Sequence, residues 1–101
     1  MTSNTPTHGS LDEVRAGIDA VDAELVGLLA RRQSLVRAAA GFKKDEDAVR
    51  APDRVERVVA AARVKAEAEG LAPEVAEAVW RAMIGAFIDL ELAEHRATTA
   101  P

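Results

Sequence analysis

Five charged residues stand where the helical pattern of this chain predicts inward-facing side chains: Arg15, Arg32, Lys43, Arg54 and Glu91. Arg32 and Lys43 are eleven residues apart, which on one α-helix separates them by about 20° around the axis and about 16 Å along it. Two long side chains can narrow that gap. The spacing therefore allows both cations to bind one small anionic ligand.

Arg15 is placed differently from the other two cations of the first helix. It precedes Arg32 by seventeen residues, which turns it by about 100° and moves it about 25 Å along the helix. The same chain cannot easily bring Arg15 to the ligand, whereas a second chain can. An antiparallel or interlocked homodimer would place Arg15 of one subunit beside Arg32 and Lys43 of the other, giving two equivalent sites.

Inward-facing cations have two interpretations. Each one alone is explained if its aliphatic stem is buried and its charged head reaches water. Four of them in a chain of net charge -4 are harder to explain in this way, because a buried charge needs a partner. Glu91 is the only carboxylate on these stripes, so a bound polyanion would satisfy the rest. Spacing alone leaves both interpretations open.

A long first helix must position three of the cations. Ser10 is a suitable N-cap, with Glu13 three residues later. Apolar residues then recur at helical spacing at Leu11, Val14, Ile18, Val21, Leu25, Leu28, Leu35 and Phe42. A helix of this length runs about 45 Å, too far for so small a globule to enclose, which predicts packing on another chain.

Two further helices are predicted after an acidic loop. The loop lies within the segment KKDEDAVRAPDRV, and Pro52 of that segment suits the first turn of the second helix. The second helix should end at Gly70, and Pro73 should open the third. The predicted inward residues of the second helix are Val55, Val58, Val59 and Ala62, and those of the third are Val79 or Trp80, Met83, Ile84, Phe87, Ile88 and Leu92. Glu91 falls on the third stripe, where the pattern predicts an apolar residue.

The composition predicts one small all-α domain. Hydrophobic residues make up 49% of the 101 residues and aromatic residues only 3%, which favours helices over sheets. The net charge of -4 argues against the broad basic surface of nucleic-acid-binding proteins. No segment has the length and apolar character of a membrane span or signal peptide, so a cytoplasmic location without membrane contact is expected.

Metal and cofactor chemistry have no support in the sequence. The chain contains no cysteine, and neither His8 nor His95 has a second ligand at metal spacing. A glycine-rich phosphate loop is missing, and Ser34 has no plausible histidine partner for a catalytic triad. We therefore expect neither a metal nor a cofactor.

The segments LDEVRAGIDAVDAELVGLLARRQSLVRAAAGFKK, APDRV and IGAFIDLEL together resemble the all-helical (type II) chorismate mutases. The resemblance runs from Ser10 to about Arg96, and the pattern FKxxExAxxAPxRV from Phe42 to Val55 is most similar to the isochorismate-pyruvate lyase branch. It implies a three-helix protomer with a long first helix in an intertwined homodimer. The expected domain covers residues 11–96, between disordered tails at 1–10 and 97–101.

The resemblance also implies a reaction and roles for the charged residues. Chorismate mutases convert chorismate to prephenate without a cofactor, and the lyases release pyruvate from isochorismate to leave salicylate. Arg32 and the partner's Arg15 would bind the two substrate carboxylates, while Lys43 and Glu91 would flank the ether oxygen. The remaining implied contacts are Arg54 in the cationic wall, with Ala39, Ile84 and Ile88 as apolar lining.

Two departures from the family pattern point in opposite directions. Ala51 and Val55 replace acidic residues that contact the ring hydroxyl in many mutases, which favours the lyase. Glu91 replaces a glutamine common in bacterial mutases and lyases, and it occurs in some true mutases. Chorismate mutase is the first prediction. The alternatives are the lyase, a 4-amino-4-deoxychorismate mutase, and a non-enzymatic helical dimerisation module.

Overall fold

The computed structural model describes residues 9–99, and all the regular structure in that range is α-helical. The helices are α1 (Leu11–Ala40), α2 (Glu46–Arg50), α3 (Pro52–Glu69) and α4 (Pro73–Thr99). The predicted all-α fold with a long first helix is confirmed. Helix α4 continues beyond Arg96 to Thr99. Of the predicted tails at 1–10 and 97–101, residues 1–8 and 100–101 lie outside the described residues.

Helix α2 corrects the prediction of a loop between the first two long helices. This acidic segment lacks an apolar face, so its sequence has no hydrophobic periodicity that would predict a helix. Asp45 nevertheless acts as N-cap, since its Oδ1 accepts a hydrogen bond from the Ala48 N–H at 2.9 Å. Val49 is only 4% exposed. A local cap and one buried side chain therefore specify this short helix.

The first helix also ends earlier than predicted, at Ala40 instead of Phe42. Gly41 is a poor helix residue, and the chain turns there, with the Phe42 N–H donating to the Ala39 carbonyl at 3.0 Å. The Phe42 side chain is 89% exposed. Its place in the apolar rhythm of the first helix therefore does not reflect burial within this chain.

The chain divides into two compact units, Met1–Ser34 and Leu35–Pro101, and the boundary falls within α1. The described part of the first unit is residues 9–34, which contain α1 up to Ser34 and its N-cap. At this cap the Glu13 N–H donates to Ser10 Oγ at 3.1 Å. No residue of α1 is buried. Its apolar stripe is at least half exposed at Leu11, Ile18, Val21, Leu25 and Leu28.

The second unit is organised around α3 and α4, joined by a three-residue connection. Gly70 ends α3 in the left-handed conformation (φ 76°), which costs glycine no Cβ clash. Its N–H donates to the Glu67 carbonyl, and the Leu71 N–H donates to the Ala66 carbonyl at 2.8 Å. These two hydrogen bonds form a Schellman motif, which turns the chain so that α4 packs back along α3.

The core lies where α3 and α2 pack on α4. Its buried apolar residues are Val49, Val59, Ala62, Ala66, Ala76, Ile84 and Leu92. The buried residues nearest the Gly70 turn are the alanines Ala62 and Ala66 of α3 and Ala76 of α4. Their small side chains let α3 and α4 pack closely there. Trp80 is half-buried, whereas Val79 is 49% exposed, so the structure selects Trp80 for the inner face of α4.

Candidate functional site

Lys43 and Glu91 meet in the second unit. Lys43 Nζ lies 3.1 Å from Glu91 Oε1 and 3.0 Å from Oε2. The Glu91 side chain is 5% exposed and that of Lys43 is 26% exposed. Glu91 is the only charged residue buried within residues 9–99. A buried carboxylate needs such a partner, because an unpaired charge is costly to desolvate.

Local structure sets the position of each partner. The prediction that Lys43 lies on the first helix is wrong, because α1 ends at Ala40. The Lys43 N–H donates to the Ala40 carbonyl at 3.1 Å, which fixes the lysine directly after that helix end. Glu91 lies on α4 beside buried Leu92, and Ile84 and Ile88 precede it by about two turns and one turn on the same helix. Ile84 is buried and Ile88 half-buried. The carboxylate therefore sits on the inward, apolar side of α4.

This pair can present a fixed hydrogen-bond donor. A lysine ammonium has three N–H donors, and the two Glu91 oxygens engage two of them. Because the lysine side chain is also partly exposed, its ammonium can donate to a ligand as well. A donor held in advance of the reaction stabilises developing negative charge without reorganising.

Ala39 and Arg54, two other predicted site residues of the second unit, are both solvent-exposed in this chain. Ala39 is exposed in the last turn of α1. Arg54 is exposed in the first turn of α3 and borders a groove of about 400 Å³ on the α3–α4 surface. Neither Lys43 nor Glu91 lines that groove. The structure thus brings Lys43 and Glu91 together, while Arg54 borders the α3–α4 groove.

Arg15 and Arg32 belong to the first unit. Arg15 is exposed on α1, and Arg32 is half-buried on the same helix. Their proposed roles rest on the family resemblance.

The structure adds two ion pairs of α4 that sequence reasoning missed. Arg37 Nη2 lies 2.7 Å from Glu94 Oε1, and Arg96 donates to both oxygens of Glu46. Hydrogen bonds from Arg96 hold the pKa of Glu46 below its usual value, with smaller contributions from Arg50 and His95. Because the partners of each pair are about fifty residues apart in sequence, no local sequence pattern predicts these ion pairs.

Two other kinds of site find no support in the part of the chain that the structure describes. No cluster of three metal-binding side chains occurs among residues 9–99. None of the helices in this range combines the length and apolar character needed to cross a membrane.

Comparison with known proteins identifies relatives of the whole helical region. Residues 14–92 match the family described as chorismate mutase type II. The chain is also 33% identical over 88 residues to the isochorismate pyruvate lyase of Pseudomonas aeruginosa, and the match covers 87% of each chain.

Proposed function

Because the chain belongs to the chorismate mutase type II family, we propose that this enzyme rearranges chorismate to prephenate. One observation carries the proposal: the Lys43 ammonium is held by the buried carboxylate of Glu91. In this rearrangement the ether C–O bond breaks while a C–C bond forms, and negative charge develops on the ether oxygen. Lys43 donates a hydrogen bond to that oxygen, where stabilisation is worth most in the transition state.

Arginines would bind the two carboxylates of the substrate. By the resemblance, Arg32 and Arg15 of the partner subunit each bind one, since a guanidinium can donate two parallel hydrogen bonds to a carboxylate. Arg54 adds a third cation. Holding both carboxylates favours the compact conformer in which the bond-forming carbon atoms approach each other. Ala39, Ile84 and Ile88 would contact the apolar part of the substrate and exclude water.

The homodimer is part of this proposal because the first helix needs a cover. Its apolar stripe from Leu11 to Leu28 is exposed in the single chain, and so large an apolar surface marks an interface. The α3–α4 groove offers a complementary surface, because it is lined by apolar residues together with the cations Arg54, Arg57 and Lys65. The early part of α1 would supply the opposite charge, since it carries five acidic residues, namely Asp12, Glu13, Asp19, Asp22 and Glu24.

The second candidate is an isochorismate-pyruvate lyase. The relative from Pseudomonas aeruginosa has that activity in its name, and Ala51 and Val55 leave this chain without the two acidic residues that many mutases place near the ring hydroxyl. In the lyase reaction the same ether bond breaks, a ring hydrogen moves to the pyruvyl methylene carbon, and an aromatic ring results. Lys43 would again donate to the ether oxygen.

The test is incubation of the purified chain with chorismate, isochorismate and 4-amino-4-deoxychorismate in separate reactions. Prephenate from chorismate, at a kcat/KM above those of the other two, is the expected result. Salicylate and pyruvate from isochorismate as the preferred reaction would establish the lyase instead. Turnover of none of the three would contradict both candidates.

A further inference from the structure

The connection that carries Lys43, residues 41–51, has few stabilising contacts of its own. Its helix α2 has five residues, and nucleation is too unfavourable for so short a helix to persist alone. Only Val49 of this segment is buried. The conformation of the connection must therefore be fixed by contacts with other parts of the chain.

Helix α4 supplies those contacts at two places. Lys43 meets Glu91 at one of them. At the other, about one turn farther along α4, Arg96 Nε and Nη2 donate to Glu46 Oε2 and Oε1 at 3.0 and 2.9 Å. Two parallel N–H···O bonds fix both orientation and distance. Helix α2 also packs on α4, and its Val49 is buried.

We propose that the Glu46–Arg96 pair is a positioning device for Lys43. It anchors α2 on the last turns of α4 and so fixes the backbone from which the lysine reaches the substrate. This inference rests on the proposed function, because it takes Lys43 as the donor to the ether oxygen. Glu46 and Arg96 act through Lys43 and are positioning residues. Arg96 lies beyond residues 14–92, which match the family.

The anchor persists over the pH range of ordinary assays. Glu46 faces Arg96, Arg50 and His95, all of which favour its ionised form, and its pKa is lowered accordingly. Arg96 in turn has its pKa raised by Glu46. Both partners therefore stay charged at neutral and mildly acidic pH.

The chain contains a matched control. Arg81 Nη1 and Nη2 donate to Glu56 Oε2 and Oε1, both at 2.9 Å. This pair is also solvent-exposed and also holds a helix on α4, but it attaches α3 and not the connection. Glu46→Gln and Glu56→Gln thus each remove one charge from a carboxylate that accepts two hydrogen bonds from an arginine, at two different places.

The experiment measures hydrogen exchange and steady-state kinetics on the full-length parent and both variants. Four amides report on the connection because each donates a hydrogen bond: Phe42, Lys43, Ala48 and Val49. We expect Glu46→Gln to speed their exchange and to lower kcat for chorismate about threefold to tenfold, with KM changed less than about twofold. Glu56→Gln should change neither quantity.

The two readouts separate failure of the anchor from failure of the proposed function. Unchanged exchange of the four amides in Glu46→Gln would overturn the anchor, whichever substrate the enzyme uses. Faster exchange with unchanged kcat would overturn the positioning role. A parent chain that turns over neither chorismate nor isochorismate would contradict the proposed function, and with it the role of Lys43, while exchange still decides whether α2 is anchored.

Discussion

At the level of single residues, the Lys43–Glu91 contact would couple catalysis to stability in the proposed mechanism. Removing the lysine leaves a carboxylate that is 5% exposed without its partner, and breaking a buried pair typically costs about 3 to 5 kcal/mol. A simple truncation therefore changes folding and catalysis together. Replacing Glu91 by glutamine first removes the charge, so that the lysine can be tested against a neutral neighbour.

Lys43→Ala should lower kcat far more than it changes KM. Losing one donor to developing charge costs about 3 to 4 kcal/mol, or about 10² to 10³ in rate. The same loss is expected when Lys43→Ala is compared with its parent in a Glu91→Gln background. The exposed neighbour Lys44 provides the control, and Lys44→Ala should keep the parent kcat. A Lys43→Ala rate within a few-fold of the parent would exclude the donor role.

Glu91 should position Lys43 for its contact with the ether oxygen. It accepts from Lys43 through both oxygens in the structure, so removing this acceptor frees the ammonium to move. Glu91→Gln keeps one acceptor oxygen and should therefore retain more activity than Glu91→Ala, which keeps none. The measurement is kcat for chorismate in the parent and both variants.

Equal kcat in Glu91→Gln and Glu91→Ala would contradict this positioning role.

At the level of elements, two helices end at residues in the left-handed conformation, one of which is a glycine without strain and the other an alanine with strain. Gly70 has φ 76° and Ala51 has φ 35°, and a Cβ in this region costs about 1 to 2 kcal/mol. Gly70→Ala should therefore lower the thermal midpoint, whereas Ala51→Gly should raise it or leave it unchanged, since added freedom in the unfolded chain offsets part of the gain. Gly70→Asn, which tolerates this conformation, should lose less than Gly70→Ala. Equal losses would contradict the strain argument.

The ion pairs of α4 predict how stability responds to acid. Hydrogen bonds from Arg81 lower the pKa of Glu56 and Glu77, and those from Arg96 lower the pKa of Glu46. A lowered pKa in the folded chain means that the stabilisation is present above the ordinary value of 4.5 and is lost as pH falls through the folded values. The thermal midpoint should decline below about pH 4.5 and less steeply in Arg81→Ala.

Calorimetry at several pH values with low salt checks this expectation. The gap between the parent and Arg81→Ala should narrow as the pH falls, and about 1 M salt should reduce it at neutral pH. A gap that stays constant down to about pH 3 would show that the Arg81 pairs do not contribute in this way.

Local signals predicted most of the elements, and contacts between distant segments account for the rest. Ser10, Pro52, Gly70 and Pro73 mark helix ends through their own backbone and side-chain chemistry, and each predicted end is found. Glu91 was visible as a charge on an apolar stripe. Helix α2 was missed because its stability depends on packing against α4, which no window of sequence contains.

At the level of the whole molecule, the proposed homodimer assigns each active site to two chains. An Arg15→Ala chain and an Arg32→Ala chain should each be inactive as homodimers. In a heterodimer one site keeps both arginines and the other loses both. After mixed refolding, random pairing makes half of the dimers heterodimers, so about a quarter of the parent activity should return.

Light scattering at micromolar concentration should give the mass of a dimer in the same samples. A matched mixture of Arg32→Ala with Lys43→Ala serves as the control, because these two residues would serve the same site from one chain and no site would be intact. Recovery in both mixtures, or a monomeric mass, would contradict the shared site.

The three-residue turn between α3 and α4 also has a kinetic consequence. Its partners are close in sequence, so the hairpin closes a short loop and should form early and at a rate independent of protein concentration. In the proposed homodimer, covering the exposed stripe of α1 requires an encounter between two chains, which is a second-order event. Refolding should then show a fast phase that is unaffected by dilution and a slower phase whose rate falls in proportion to concentration.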